Sequence, residues 1–238
     1  MSNIGFDVFN NKPRKREIED GFGAFILKKK ITGNVLTLTG PEVEAHFKNY
    51  GRVLNRHNKF VVCENDWKVF HERVLPMSRS IQDDRIVSKF KDVMKEMFLP
   101  PVHRGRNGGR KWAVVDLDFC EYIDTLIEKY RLLDVLDKFA RGDLLKGDGA
   151  CLIITACTRP GRIKKRFDYD VFRVTIPTVF EKNGYFVGTM FEETYKDRNG
   201  PPMCTSLYHI RKDIYDDMGD PIEAFNLKWN LPDWAARR

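Results

Sequence analysis

The chain has 238 residues, 42% hydrophobic, 32% charged and 12% aromatic. With 17 Phe, 8 Tyr and 4 Trp it carries too much apolar surface to be wholly disordered. No uncharged apolar run reaches the roughly 18–20 residues of a membrane span. An excess of 41 Lys and Arg over 34 Asp and Glu gives a net charge of +7, which suits a polyanionic partner.

Residues 1–34 are polar and irregular and read as a basic N-terminal extension, with basic runs at Lys12 to Arg16 and Lys28 to Lys30. Met1 to Asn11 lacks the charged head and apolar stretch of a secretory signal. Residues 35–212 read as one folded domain. Its first strand is predicted over Val35 to Thr39 and its first helix over Pro41 to Tyr50, which ends near Gly51. Lys59 to Cys63 predicts a second strand, and Asp66 to Leu75 a helix. The spacing of Ile86, Phe90, Val93, Met94 and Met97 predicts a helix over Asp83 to Phe98, stopped by Pro100 and Pro101. No strand is legible between Leu75 and Arg110.

A Gly-rich basic loop, Arg104 to Lys111, leads into a strand over Lys111 to Phe119. A helix follows over Glu121 to Phe139, then a strand over Ala150 to Thr158 and a second basic loop, Arg159 to Arg166. Tyr185 to Tyr195 and Met203 to Ile210 flank an Asn-Gly turn signal and read as a hairpin. Residues 213–238 form a tail with Trp229 and Trp234, able to dock on the core or on a protein partner.

Strands and helices in alternation predict an α/β fold. The expectation is a mostly parallel Rossmann-like sheet, helices on both faces, and a C-terminal antiparallel hairpin. In such sheets ligands bind beyond the carboxyl ends of the strands. The first strand ends in Thr39, Gly40 and Pro41, where Gly40 permits a tight turn and close backbone approach, or an ordinary strand-to-helix turn. The second ends in Glu64, Asn65 and Asp66. Glu64 suits a ribose diol, because a carboxylate accepts two hydroxyl protons, and Asp66 suits a helix N-cap.

The next informative strand ends in Asp116, Leu117, Asp118, Phe119 and Cys120. Alternation puts Asp116 and Asp118 on one face and Val115 and Leu117 on the other. Two acids in a buried strand need partners. They suit proton transfer or hydrogen bonding to a substrate, with Phe119 stacking on a base; a paired-Asp magnesium site is the competing reading. Cys120 has no His nearby to activate it. The 5 cysteines are odd in number and lack a C-x-x-C pair, so free thiols in a reducing cytoplasm are expected, and no metal centre.

The order TGPE, CEND, VDLDFC, LIITACT and the terminal hairpin resembles Rossmann-type (class I) S-adenosylmethionine-dependent methyltransferases, over about Val35 to Lys212. The stretch VVDLDF is similar to that of tRNA guanosine N2-methyltransferases, without their proline. The resemblance implies S-adenosylmethionine held by Thr39, Gly40, Pro41, Glu64, Asn65 and Asp116. It places Asp116, Asp118 and Phe119 beside the methyl group and acceptor. Nucleic acid, RNA ahead of DNA, would then meet Arg104, Arg106, Arg110 and Lys111, and Arg159, Arg162, Lys164, Lys165 and Arg166. A lone catalytic domain with basic arms suits a phage or viral product at work in its host's cytoplasm. Two alternatives stand beside this. One is an inactive Rossmann-like nucleic-acid-binding or assembly subunit; the other is a magnesium-dependent nuclease or phosphotransferase using Asp116 and Asp118.

Overall fold

Alternate residues of the central strands go to opposite faces of one seven-stranded sheet. The computed structural model describes residues 13–38, 42–101, 111–158, 168–196 and 201–212. The strands are β1 (Asn34–Leu38), β2 (Phe60–Glu64), β3 (Ile86–Phe90), β4 (Trp112–Tyr122), β5 (Ala150–Cys157), β6 (Tyr185–Tyr195) and β7 (Met203–Lys212), in the order β3-β2-β1-β4-β5-β7-β6. The first five run parallel, and β7 pairs antiparallel with both β5 and β6. Near-continuous apolar runs such as β5 (ACLIITAC) are buried throughout, as central parallel strands must be.

Leu36, Val61, Val115, Leu117, Leu152 and Ile154 feed one core. Over them lie α4 (Val93–Glu96), α5 (Ile123–Glu128), α6 (Leu132–Arg141) and α7 (Val171–Thr175 continuing as Ile176–Glu181). Val35, Val62, Val114 and Ile153 feed the core of the other face. That face carries α1 (Pro13–Lys28), α2 (Val43–Tyr50) and α3, which runs on through Trp67–Val69, Phe70–Val74 and Leu75–Ser80. The fold is therefore the expected Rossmann-like one, with helices on both faces and the antiparallel pair at its end. Among the described residues no helix is long and apolar enough to cross a membrane.

Four local expectations change. Residues 13–28 are not part of an extension but a helix, because Ile18, Phe22 and Ile26 recur every fourth residue and are buried. Gly23 lets this helix lie close on α2: a Cβ there would sit 3.0 Å from the Asn49 carbonyl oxygen. Asp83 to Phe98 is not one helix. Ile86–Phe90 pairs with β2 in parallel register, and α4 restarts after the Asp92 cap. Its apolar spacing fits a short helix and a half-buried edge strand equally, and pairing with β2 decides.

The helix expected over Glu121 to Phe139 is two, since β4 runs on to Tyr122 and Arg131 takes a positive φ of 56°. Helix α7 was not expected at all. In α3 and α7 a wide π turn precedes Pro76 and Pro177, each of which lacks the N–H that would continue the α ladder.

If α1 belongs to the fold, Ile26→Ala will cost about 2–5 kcal/mol, the usual penalty for emptying a packed aliphatic site. Chemical denaturation measures it; a change within a few tenths of a kcal/mol would return α1 to the status of an appendage.

Candidate active site

Strand order reverses at β1, which lies between β2 and β4. Leu38 pairs with Cys63 on one side and Leu117 on the other. Glu64 and Asp118 each follow by one residue, so they flank the tip of β1 at two strand spacings, roughly 10 Å. Alternation puts both, with Thr37 and Asp116, on the sheet face that carries α1 and α2. Between Asp118 and Tyr122 the pairing of β4 with β5 shifts register. An irregularity of this kind bends a strand and re-aims its side chains.

Asp116 is 2% exposed and Glu64 7%. Helices α1 and α2 bring partners to the two aspartates. Lys15 Nζ lies 2.7 Å from Asp118 Oδ2 and 3.4 Å from Glu19 Oε1, and also bonds Glu42 Oε2. His46 Nδ1 lies 3.2 Å from Asp116 Oδ2 and 3.1 Å from Thr37 Oγ1. The other ring nitrogen, Nε2, is 3.3 Å from Glu19 Oε1, without hydrogen-bond geometry. The Tyr50 hydroxyl is buried beside Asp116.

Each charge depends on the others. Burial favours the neutral His46 ring, yet Glu19 and Asp116 outweigh it and lift the imidazolium to about 10. Burial likewise opposes the Glu19 charge, but His46 and Lys15 prevail and hold the carboxyl at about 2. Burial pushes Asp116 upward against the pull of His46. Lys15 is held well above the usual lysine range by Asp118, Glu19 and Glu42, despite its desolvation.

The structure brings Glu64, Asp116 and Asp118 together on one face. Glu64 accepts the Asp66 N–H at 2.8 Å, and Asp66 caps α3 through the Val69 N–H at 3.0 Å, the role expected of it. Asn65 is exposed at the same turn. Phe119 is corrected: it points to the opposite face and is buried at 7% exposure in the cluster of Ile123 and Leu126, so it offers no stacking surface. Lys111 is also corrected, because it pairs with Asp143 at 2.6 Å at the start of β4, the far end of the strand from this site. Thr39, Gly40, Pro41, Arg104, Arg106, Arg110, Arg159, Arg162, Lys164, Lys165 and Arg166 lie outside the described residues, as does the tail from 213.

Sequence reading missed Lys15, Glu19, Glu42 and His46. Their signal is faint: Lys15 and Glu19, like Glu42 and His46, are four residues apart and so share a helix face. Among the described residues, Glu19, Glu42 and His46 are the set whose ligand atoms converge within 4.8 Å, rather than the Asp116 and Asp118 pair. The Lys15 ammonium already supplies positive charge to that set. All 5 cysteines are free and only Cys120 is exposed; burial lifts the Cys63 thiol to about 12.

No family model matches the chain, and no curated protein matches it. Solved structures do share its fold. The magnesium protoporphyrin IX methyltransferase (ChlM) from Synechocystis PCC 6803, with bound SAH, superposes with a TM-score of 0.53 at 10% identity, over 90% of each chain. Also similar is yhhF from Escherichia coli, named as a methyltransferase, at a TM-score of 0.53 and 10% identity over 85% of this chain and 88% of that one. HI0767 from Haemophilus influenzae, named as a methylase, reaches 0.51 at 12% identity over 84% of this chain and 100% of that one. The architecture is thus one found in class I methyltransferases.

Because His46 is raised from its unfolded value, its stabilisation is complete below about pH 6.5 and is lost as pH climbs through about 10. Glu19 behaves oppositely, losing its contribution as pH falls from about 4.5 toward 2. His46→Gln should cost on the order of 3–5 kcal/mol at neutral pH, since it breaks a buried pair, and should flatten the alkaline decline. Urea midpoints at neutral and alkaline pH test this; parent and variant declining in parallel would dismiss His46 as the titrating group.

Proposed function

We propose that the protein is an S-adenosylmethionine-dependent methyltransferase acting on nucleic acid, RNA ahead of DNA. The observation that carries this reading is the pair Glu64 and Asp118, buried on one face of a Rossmann-like sheet and flanking the tip of β1 at the strand switch point. The donor set fits the cofactor: carboxylates accept hydroxyl protons and complement a cationic sulfonium. When bound, the sulfonium supplies an already activated methyl group.

The chain's own task is then chiefly to hold and orient. Glu64 accepts the ribose hydroxyls, with Asn65 beside it and the Thr39-Gly40-Pro41 backbone approaching the cofactor. Asp118 accepts a hydrogen bond from an amino group of the acceptor, or takes its proton as the methyl group arrives. Asp116, fixed by His46 and Thr37, sets the floor of the site. Arg104, Arg106 and Arg110, with Arg159, Arg162, Lys164, Lys165 and Arg166, grip phosphates, which agrees with the net charge of +7. Free buried thiols agree with a reducing cytoplasm. One observation favours a second reading, a binding subunit without catalysis: Asp118 is already engaged by Lys15.

S-adenosylhomocysteine at about 100 times its Kd should add about 2.7 kcal/mol of stability, a rise in Tm of about 5–10 °C for a chain of this size. Glu64→Ala should remove most of the shift. Asp118→Ala should keep the shift and end transfer of labelled methyl groups into RNA. No shift in the parent protein rejects the cofactor; a shift without transfer in the parent selects the binding subunit.

A further inference from the structure

Three carboxylates from three segments of the chain meet at one nitrogen. Lys15 Nζ lies against Asp118 from the end of β4, Glu42 from the start of α2, and Glu19 from the next turn of its own helix. An ammonium has three N–H donors, and each finds a separate acceptor here.

The cluster also has capacity that Lys15 does not use. Among the described residues its four carboxylates, Glu19, Glu42, Asp116 and Asp118, face two cations, Lys15 and His46. His46 is 1% exposed and aims Nε2 into the cluster without a hydrogen bond. The Tyr50 hydroxyl, fully buried beside it, has no hydrogen-bond partner among the described residues. Uncompensated polar groups and charges are costly inside a protein, so these two unsatisfied atoms point to a cluster built for more than a static ion pair.

Lys15 is free to leave in mechanical terms. It stands in the first turn of α1, while Ile18, Phe22 and Ile26 anchor the helix further along. Rotation about its side-chain bonds frees the carboxylates without undocking the helix.

We propose that Glu19, Glu42 and Asp118 form a binding subsite for a primary aliphatic amine, with Lys15 as the intramolecular occupant that such an amine displaces. The N–H count sets the selectivity. A primary alkylammonium reproduces all three donated hydrogen bonds; a quaternary ammonium brings the charge but no donor. The subsite does not depend on methyl transfer or on the cofactor.

The test uses the full chain and n-propylammonium as the probe. Lys15→Ala should lower the Tm, and propylammonium should restore at least half of the loss in a saturable way. Tetramethylammonium should need about tenfold more for the same effect, and sodium at equal ionic strength should do nothing. Asp118→Asn in the Lys15→Ala background should abolish the difference between the two ammonium ions. Should Lys15→Ala not fold, the parent protein decides by nuclear magnetic resonance. Its Lys15 ammonium signal should vanish on titration with propylammonium while the α1 backbone amides stay in place. Equal recovery by all three cations, no recovery, or an unchanged Lys15 signal at saturating probe would reduce Lys15 to a fixed structural ion pair. Binding of S-adenosylhomocysteine by the parent, measured separately, keeps the fate of this subsite apart from that of the methyltransferase reading.

Discussion

Two aspartates at the carboxyl end of a central strand set the main constraint on this molecule. Asp116 and Asp118 project from β4 toward a helical layer, not into open water. A carboxylate in that position is tolerable only with partners. No neighbour on the sheet supplies a positive charge, so the helices must. Helix α2 brings His46 to Asp116, and α1 brings Lys15 to Asp118. Glu19 then links the two cations from the side of α1. The first helix of the chain is thereby tied to the fourth strand by charge as well as by its apolar stripe.

The parallel sheet was legible because β1, β2, β4 and β5 are short apolar runs closed by polar residues, with helical spacing between them. The hairpin was legible from β-rich runs around a turn signal. Strand β3 was not, because Ile86 and Phe90 are four residues apart and only the pairing with β2 distinguishes a strand from a helix there. Helix α1 was hidden by its composition: a basic run and two glycines dilute an apolar stripe that shows only once α2 and β6 are in place. Phe22 meets Phe191, and Arg14 reaches Glu193, across sequence distances that no local pattern reveals.

The site divides in the same way. Strand-end residues were readable by alternation alone, so Glu64, Asp116 and Asp118 were placed on one face. Alternation also predicts where Phe119 goes, since it shares the parity of Val115 and Leu117, and the core takes it. Lys111 opens β4 and so lies at the wrong end of the strand for a site at its carboxyl end. The partners of the acids, Lys15, Glu19, Glu42 and His46, come from helices, and helix packing decides which residues face a given strand tip. Nothing in the spacing of those residues names their strand partners.

A buried ion cluster is a poor way to stabilise a fold. Taking four carboxylates and two cations out of water costs several kcal/mol per ion before pairing offsets it, and apolar residues of equal volume often do as well or better. Elsewhere the layers between sheet and helices use that cheaper solution: Phe60, Phe139, Phe172 and Phe180 are wholly buried. The charged exception falls where strand order reverses and where open α/β sheets place ligands. Folding alone does not call for charges there. Their position makes the cluster intelligible as part of a site, and makes α1 one wall of that site.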